Sequence, residues 1–176
     1  MPFGRYTKIR SLILECLVGL YLRLNGYLLI SNYLLHRAVE EPFGLEAEAD
    51  FLGVRFPYQR EVLPDGRKQE NDQQLILSPN KLLIDFIIAE VKEPSVEFNT
   101  SIRGKSGQKR LRKAVEMRGF SKPELTDTIA QTLHEQIQRK SRNTFPTYED
   151  AALGISVRMI VFARETSKHS GERKFY

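Results

Sequence analysis

An α/β fold, with a mixed central sheet flanked by helices, is what the sequence predicts, on three observations. Apolar residues recur at helical spacing near the N-terminus, through Ile9, Leu12, Ile13, Cys16, Leu17, Leu20 and Leu24. Runs at 27–35, 81–92 and 155–163 are short and rich in bulky apolar residues, as strands are. Two longer polar segments between the last two runs read as helices. The predicted order is helix, strand, strand, strand, helix, helix, strand.

Residues 8–24 read as the first helix, amphipathic and buried, followed by a buried strand. Asn25-Gly26 stops it, because both residues tolerate the left-handed conformation of a helix end. The strand at 27–35 is almost continuously hydrophobic, which predicts a central position covered on both faces. Cys16 is expected to be a small core residue. Glu40-Glu41-Pro42-Phe43-Gly44 reads as a turn, and 46–56 as a second strand, acidic at alternate positions before Phe51, Leu52 and Val54. Residues 57–80 are polar and contain Pro64-Asp65-Gly66, a tight-turn signal, so a loop or exposed hairpin is inserted between two core strands. The strand at 81–92 ends at Pro94. Helices follow from about 106 to 118 and over 122–140, the second opened by Ser121-Lys122-Pro123-Glu124. A strand at 155–163 completes one domain, 1–164, and residues 165–176 are a polar tail.

Composition narrows the setting. Cys16 is the single cysteine, so no intramolecular disulfide can form, and a reducing, cytoplasmic environment fits. The apolar stretch 12–35 is broken by Glu15, Arg23 and Asn25, which argues against a membrane span and a signal peptide alike. His36, His134 and His169 lie too far apart for a zinc motif. A net charge of +5 permits a polyanionic partner without requiring one. Gly104-Lys105-Ser106 resembles the end of a phosphate-binding loop, but Asn99 stands where that pattern needs glycine.

The chemistry gathers on two strands. Side chains alternate faces along a strand, so Glu90 and Lys92 share a face while Ile87, Ala89 and Val91 point the other way. By the same parity Glu46, Glu48 and Asp50 share a face. For Glu46 and Glu48 a solvated strand face is the preferred reading. Three carboxylates in a row repel one another, which a bound cation would relieve, and if the strands are neighbours Asp50 and Glu90 could chelate one divalent cation. Lys92 would then position a water or neutralise a phosphate. Taken alone, Glu90 and Lys92 also suit a solvated strand end with a surface ion pair.

Glu48-Ala49-Asp50-Phe51-Leu52 followed by Ile87-Ile88-Ala89-Glu90-Val91-Lys92 resembles the PD-(D/E)XK nuclease superfamily, in its restriction-endonuclease-like and Holliday-junction-resolvase-like branches. The resemblance covers roughly the first 120 residues and implies an αβββαβ core. It departs from the family in having Ala49, not proline, before Asp50, and in the long spacing from Asp50 to Glu90. It implies Asp50 and Glu90 as metal ligands, Lys92 as catalytic lysine, and Mg2+ or Mn2+ as cofactor. Glu15 matches the acidic residue that the family often adds on its first helix, and Gln108 a polar residue that some branches place near the site. Asp85 has the opposite parity to Glu90 and reads as marking strand entry or pairing with a basic neighbour.

Lys105, Lys109, Arg110, Arg112 and Lys113, with Arg103 and Arg118, form a basic cluster directly after the motif. It suits contact with nucleic-acid phosphates, and a solvated helix face equally by itself. The expected activity is metal-dependent hydrolysis of phosphodiester bonds, in DNA. The alternative is a catalytically inactive nuclease-fold module for nucleic-acid binding or protein assembly. Nucleic acid is the expected partner, no membrane is expected, and a homodimer is admitted because many nucleases of this kind act as dimers.

Overall fold

A computed structural model describes residues 3–35, 47–75, 82–92, 97–116, 122–139 and 145–163. Within them lie α1 (Phe3–Leu24), β1 (Leu28–Leu35), β2 (Ala47–Arg55), β3 (Ile84–Lys92), α2 (Thr100–Arg103), α3 (Gly107–Glu116), α4 (Pro123–Gln138), β4 (Thr147–Asp150) and β5 (Ile155–Ala163). The expected turn at 40–44, Glu46 and the polar tail fall outside the described residues.

The strands form one mixed sheet in the order β1-β2-β3-β5-β4. β1, β2 and β3 are successively antiparallel, β3 and β5 run parallel, and β4 returns antiparallel to β5. A parallel pair needs a crossover connection, and α2, α3 and α4 lie on it. The expected mixed sheet flanked by helices is therefore present.

Strand alternation divides the core. Ile88 of β3, Leu52 of β2 and Val157 and Met159 of β5 pack against Ile102, Leu111, Ile129 and Leu133 from the α2–α4 layer. Phe51, Ile87, Ala89 and Ile160 pack on the other face against Val18 and Leu22 of α1. β3 and β5 are thus covered on both faces.

Three expectations near the N-terminus are corrected. β1 is an edge strand, not a central one, and Leu28 and Ile30 are exposed. α1 is half-buried: Val18 and Leu22 are in the core, whereas Leu12, Ile13, Leu17 and Leu20 face outward. Cys16 is exposed and is not a core residue. Continuous hydrophobicity reports a wish for burial on two faces, but it does not say that this chain alone supplies the cover.

The insert between β2 and β3 is a hairpin, with a bridge between Val62 and Lys68. Its turn closes through the Gly66 N–H to the Leu63 carbonyl at 2.9 Å, and Gly66 has φ 81°, where a side chain would be strained. The end of the insert is tied to α1. The Asp72 N–H donates to Asn25 Oδ1 at 2.6 Å, and Tyr21 Oη donates to Asp72 Oδ2 at 2.9 Å. Gly26, just past α1, has φ 82°, as the helix-stop reading requires. No helix among the described residues is long and apolar enough to cross a membrane.

Candidate functional site

β2 and β3 are neighbours, and the register Phe51 opposite Ala89 brings Asp50 beside Glu90 at the end of the ladder. The backbone is irregular there. The β1–β2 pairing is regular at Ser31–Phe51 and Tyr33–Ala49 but omits Asn32 and Asp50 between them. Asn32 has φ 54°, a left-handed conformation that asparagine tolerates better than most residues. The β2–β3 pairing stops at Phe51–Ala89, and the Asp50 carboxylate takes over one backbone donor: the Val91 N–H donates to Asp50 Oδ2 at 2.6 Å.

Glu90 is 1% exposed. Its Oε2 accepts from the Asn99 N–H at 3.0 Å and lies 3.3 Å from Lys92 Nζ. Its Oε1 is buried without a hydrogen-bond partner. Glu90 and Lys92 share a face, as alternation predicts, and their ion pair is not a solvated surface pair, because its acidic side is buried. Burial pushes the Glu90 pKa above the usual carboxylate range; Lys92 and the Asn99 N–H oppose the rise, and Asp50 adds to it.

That shift has a testable sign. With its folded pKa above its unfolded one, Glu90 contributes stability that is complete below the unfolded pKa and is lost as pH rises through the folded pKa. The shift makes the ionised form of Glu90 the less favourable one in the fold. Glu90→Gln is expected to stabilise the fold by roughly 0.5–2 kcal/mol at pH 7.5, the range that single stabilising substitutions commonly reach. The gain should shrink toward pH 4.5. Thermal melts at the two pH values check this, and a lower melting temperature for the variant at pH 7.5 would overturn it.

The other acidic residues lie elsewhere. Asp85 is on the α1 face, where it pairs with basic neighbours as one of its two readings expected: Arg158 Nε donates to Oδ1 at 3.0 Å and Arg55 Nη2 to Oδ2 at 3.2 Å. Tyr27 Oη also donates to Asp85 Oδ2, at 2.5 Å, and Arg158 Nη2 donates to the Leu75 carbonyl at 2.8 Å. Burial, then the Asp85 charge, holds the Tyr27 phenol well above its usual pKa. Glu15 is on α1 and accepts from Ser11 Oγ at 2.9 Å, one turn back on its own helix. Glu48 lies in β2 and Glu46 outside the described residues.

Among the described residues, no three or more His, Cys, Asp or Glu side chains gather as a metal-binding group. The protein therefore offers two adjacent carboxylates and a lysine, without Glu15. This set fits magnesium only where water and a substrate phosphate complete its shell, which is the usual way proteins hold that ion. The orphaned Glu90 Oε1 is an acceptor left over for such an ion.

The basic cluster divides. Arg112 pairs with Asp127 at 2.7 Å, Arg103 with Glu97 at 2.9 Å, and Arg110 Nη1 donates to the Ser101 carbonyl at 3.0 Å. Lys113 is half-buried, whereas Lys105, Gln108 and Lys109 are exposed. A hollow of about 460 Å³ adjoins the site through Asn99 and is lined by Ser101, Lys105, Ser106 and Arg110 among others. The Ser101 hydroxyl there is without a hydrogen-bond partner.

Sequence reasoning missed Asn99, whose backbone amide holds Glu90, because a backbone donor leaves no mark on composition. It also missed Arg158, although a lone charge inside the apolar run Ile155–Ala163 is a signal for a buried partner. No protein-family model, curated protein or solved structure matches the chain.

Proposed function

We propose that this chain is a nuclease-fold module for binding nucleic acid, with an Asp50–Glu90–Lys92 cluster that is catalytically silent by itself. The observation that carries the reading is how the cluster is closed. Lys92 and the Asn99 N–H share Glu90 Oε2, the Val91 N–H takes Asp50 Oδ2, and no third ligand joins them among the described residues. Element order supports the nuclease-type frame: a helix, three antiparallel strands, then helices and the short β4 before a strand parallel to the third. Lys105, which lines the hollow together with Ser106 and Arg110, and the exposed Lys109 supply groups that bind phosphate.

The second reading is a divalent-metal-dependent nuclease acting on DNA. The partnerless Glu90 Oε1 beside Asp50 favours it, since a cation arriving with substrate would satisfy that atom. Lys92 would then be released toward the phosphate.

Binding of a labelled DNA duplex, with and without Mg2+ or Mn2+, separates the two. The first reading expects salt-dependent affinity that ignores the metal and survives Asp50→Ala/Glu90→Ala. Lys105→Ala/Lys109→Ala should flatten the slope of log K against log salt by about 1 for each lysine. Metal-dependent cleavage lost in Asp50→Ala and in Lys92→Ala would establish the second. Neither binding nor cleavage, on duplex, single-stranded and branched DNA and on RNA, would overturn both.

A further inference from the structure

The outer edge of the sheet is not built to face water. Between residues 11 and 30, ten positions are exposed, and Arg23 is the one charged residue among them. On α1 the exposed residues include Leu12 at 60%, Ile13 at 54%, Leu17 at 57% and Leu20 at 55%. Leu28 and Ile30 of β1 are exposed at 54% and 61% on the opposite face of the sheet. The two apolar flanks meet around the edge at one hollow of about 390 Å³, bordered by Leu20, Leu24, Leu28 and Leu29 together with Arg23, Arg60 and Glu61.

The two sheet edges differ. β4 is four residues long and ends in Glu149 and Asp150, which is how proteins discourage further pairing. β1 has eight residues, Leu-Leu-Ile-Ser-Asn-Tyr-Leu-Leu, with no charge and no proline, and no strand among the described residues pairs its outer side. Only the turn of backbone at Asn32 interrupts it. An edge like this is a template for another strand.

We infer that a second copy of this chain docks here, with β1 pairing antiparallel to its counterpart and the exposed faces of α1 packing beside the joint. This goes beyond the proposed function and does not rest on it. An antiparallel edge is self-complementary about a two-fold axis, so the same patch serves both copies. Leu12, Ile13, Leu17, Leu20, Leu24, Leu28 and Ile30 together expose on the order of 600 Å², close to the ~800 Å² per partner of a standard interface. The leucine and isoleucine side chains of the two flanks carry no charge, and Arg23, Arg60 and Glu61 lie at the hollow between them, so like faces meet with little repulsion. A lipid surface could cover the leucines but would leave the β1 backbone donors and acceptors without partners.

Sedimentation equilibrium of the full chain tests this. The wild type should be dimeric at tens of micromolar and remain so in 1 M NaCl. Leu17→Glu/Leu20→Glu and, separately, Ile30→Lys should weaken the dimer at least tenfold. All three positions are exposed in the monomer, so circular dichroism should be unchanged. Cys16, exposed among the leucines of α1, gives a readout without substitution: its alkylation should slow as wild-type concentration rises. A wild-type monomer at its solubility limit, or a dimer that neither variant weakens, would overturn the inference. So would a monomeric wild type that co-floats with phosphatidylcholine or phosphatidylglycerol vesicles, which would assign the patch to a lipid surface.

Discussion

Asp85→Ala is expected to destabilise the fold by about 3–5 kcal/mol, the loss seen when one partner of a buried ion pair is removed. Arg158 is 2% exposed, and its guanidinium is held by Asp85, Tyr27 and the Leu75 carbonyl. Arg55 leans on the same carboxylate at 3.2 Å and lies over the Tyr27 ring, 4.7 Å from its centroid. Without Asp85, two guanidinium groups face each other across a space that water reaches poorly. The hydrogen bond to Leu75 also anchors the end of the hairpin insert, so its ordering should fail together with the core.

The ranking within the network is the sharper test. Arg158→Met leaves Asp85 still paired with Arg55 and Tyr27, so its cost should be smaller than that of Asp85→Ala. Tyr27→Phe removes one hydroxyl and should cost least, about 1–3 kcal/mol for the group it leaves unsatisfied. Urea unfolding at pH 7 measures all three. A loss below about 1 kcal/mol for Asp85→Ala would show that the network is not the anchor its burial implies. The stability of the wild type should change little with salt, because buried pairs are weakly screened.

That Asp85 and Glu90 fall on opposite faces of β3, Asp85 toward α1 and Glu90 toward the candidate site, was legible from strand parity. The same parity placed Lys92 with Glu90 and, with neighbouring strands assumed, Asp50 opposite them. Elements with a strong period were also legible: the strand Ile155–Ala163 was expected at those bounds, and α4 within two residues of its ends. β4 was missed because four residues, Thr147–Asp150, carry too little pattern. β1 was placed centrally because Leu28 and Ile30 look like core residues in a sequence, whether their cover comes from the same chain or from another. Arg55 and Arg158 needed the sheet order before a shared partner could be recognised.

The contact that shapes the Glu90 side of the site depends on a glycine whose role only the fold reveals. A Cβ on Gly107 would stand 1.7 Å from the Ile102 carbonyl oxygen and 2.9 Å from His134 Nε2. The side chain of His134 could move, but the Ile102 carbonyl belongs to the backbone of α2. Gly107→Ala is therefore expected to cost at or above the ~3 kcal/mol upper end of ordinary overpacking. The damage should spread toward the site. Gly107 N–H bonds the Gly104 carbonyl at 2.9 Å, Gly104 N–H bonds Thr100 at 2.8 Å, and the Asn99 that caps α2 donates its own N–H to Glu90. Pushing α3 away draws on that chain of short links, so Glu90 Oε2 should lose its backbone donor. Losing a donor to the ionised form raises the Glu90 pKa further. Unfolding of Gly107→Ala followed by urea tests the first part, and the titration of Glu90 followed by carboxyl NMR tests the second. A variant as stable as the wild type, with an unmoved Glu90 titration, would mean that α2 and α3 can separate without disturbing the site.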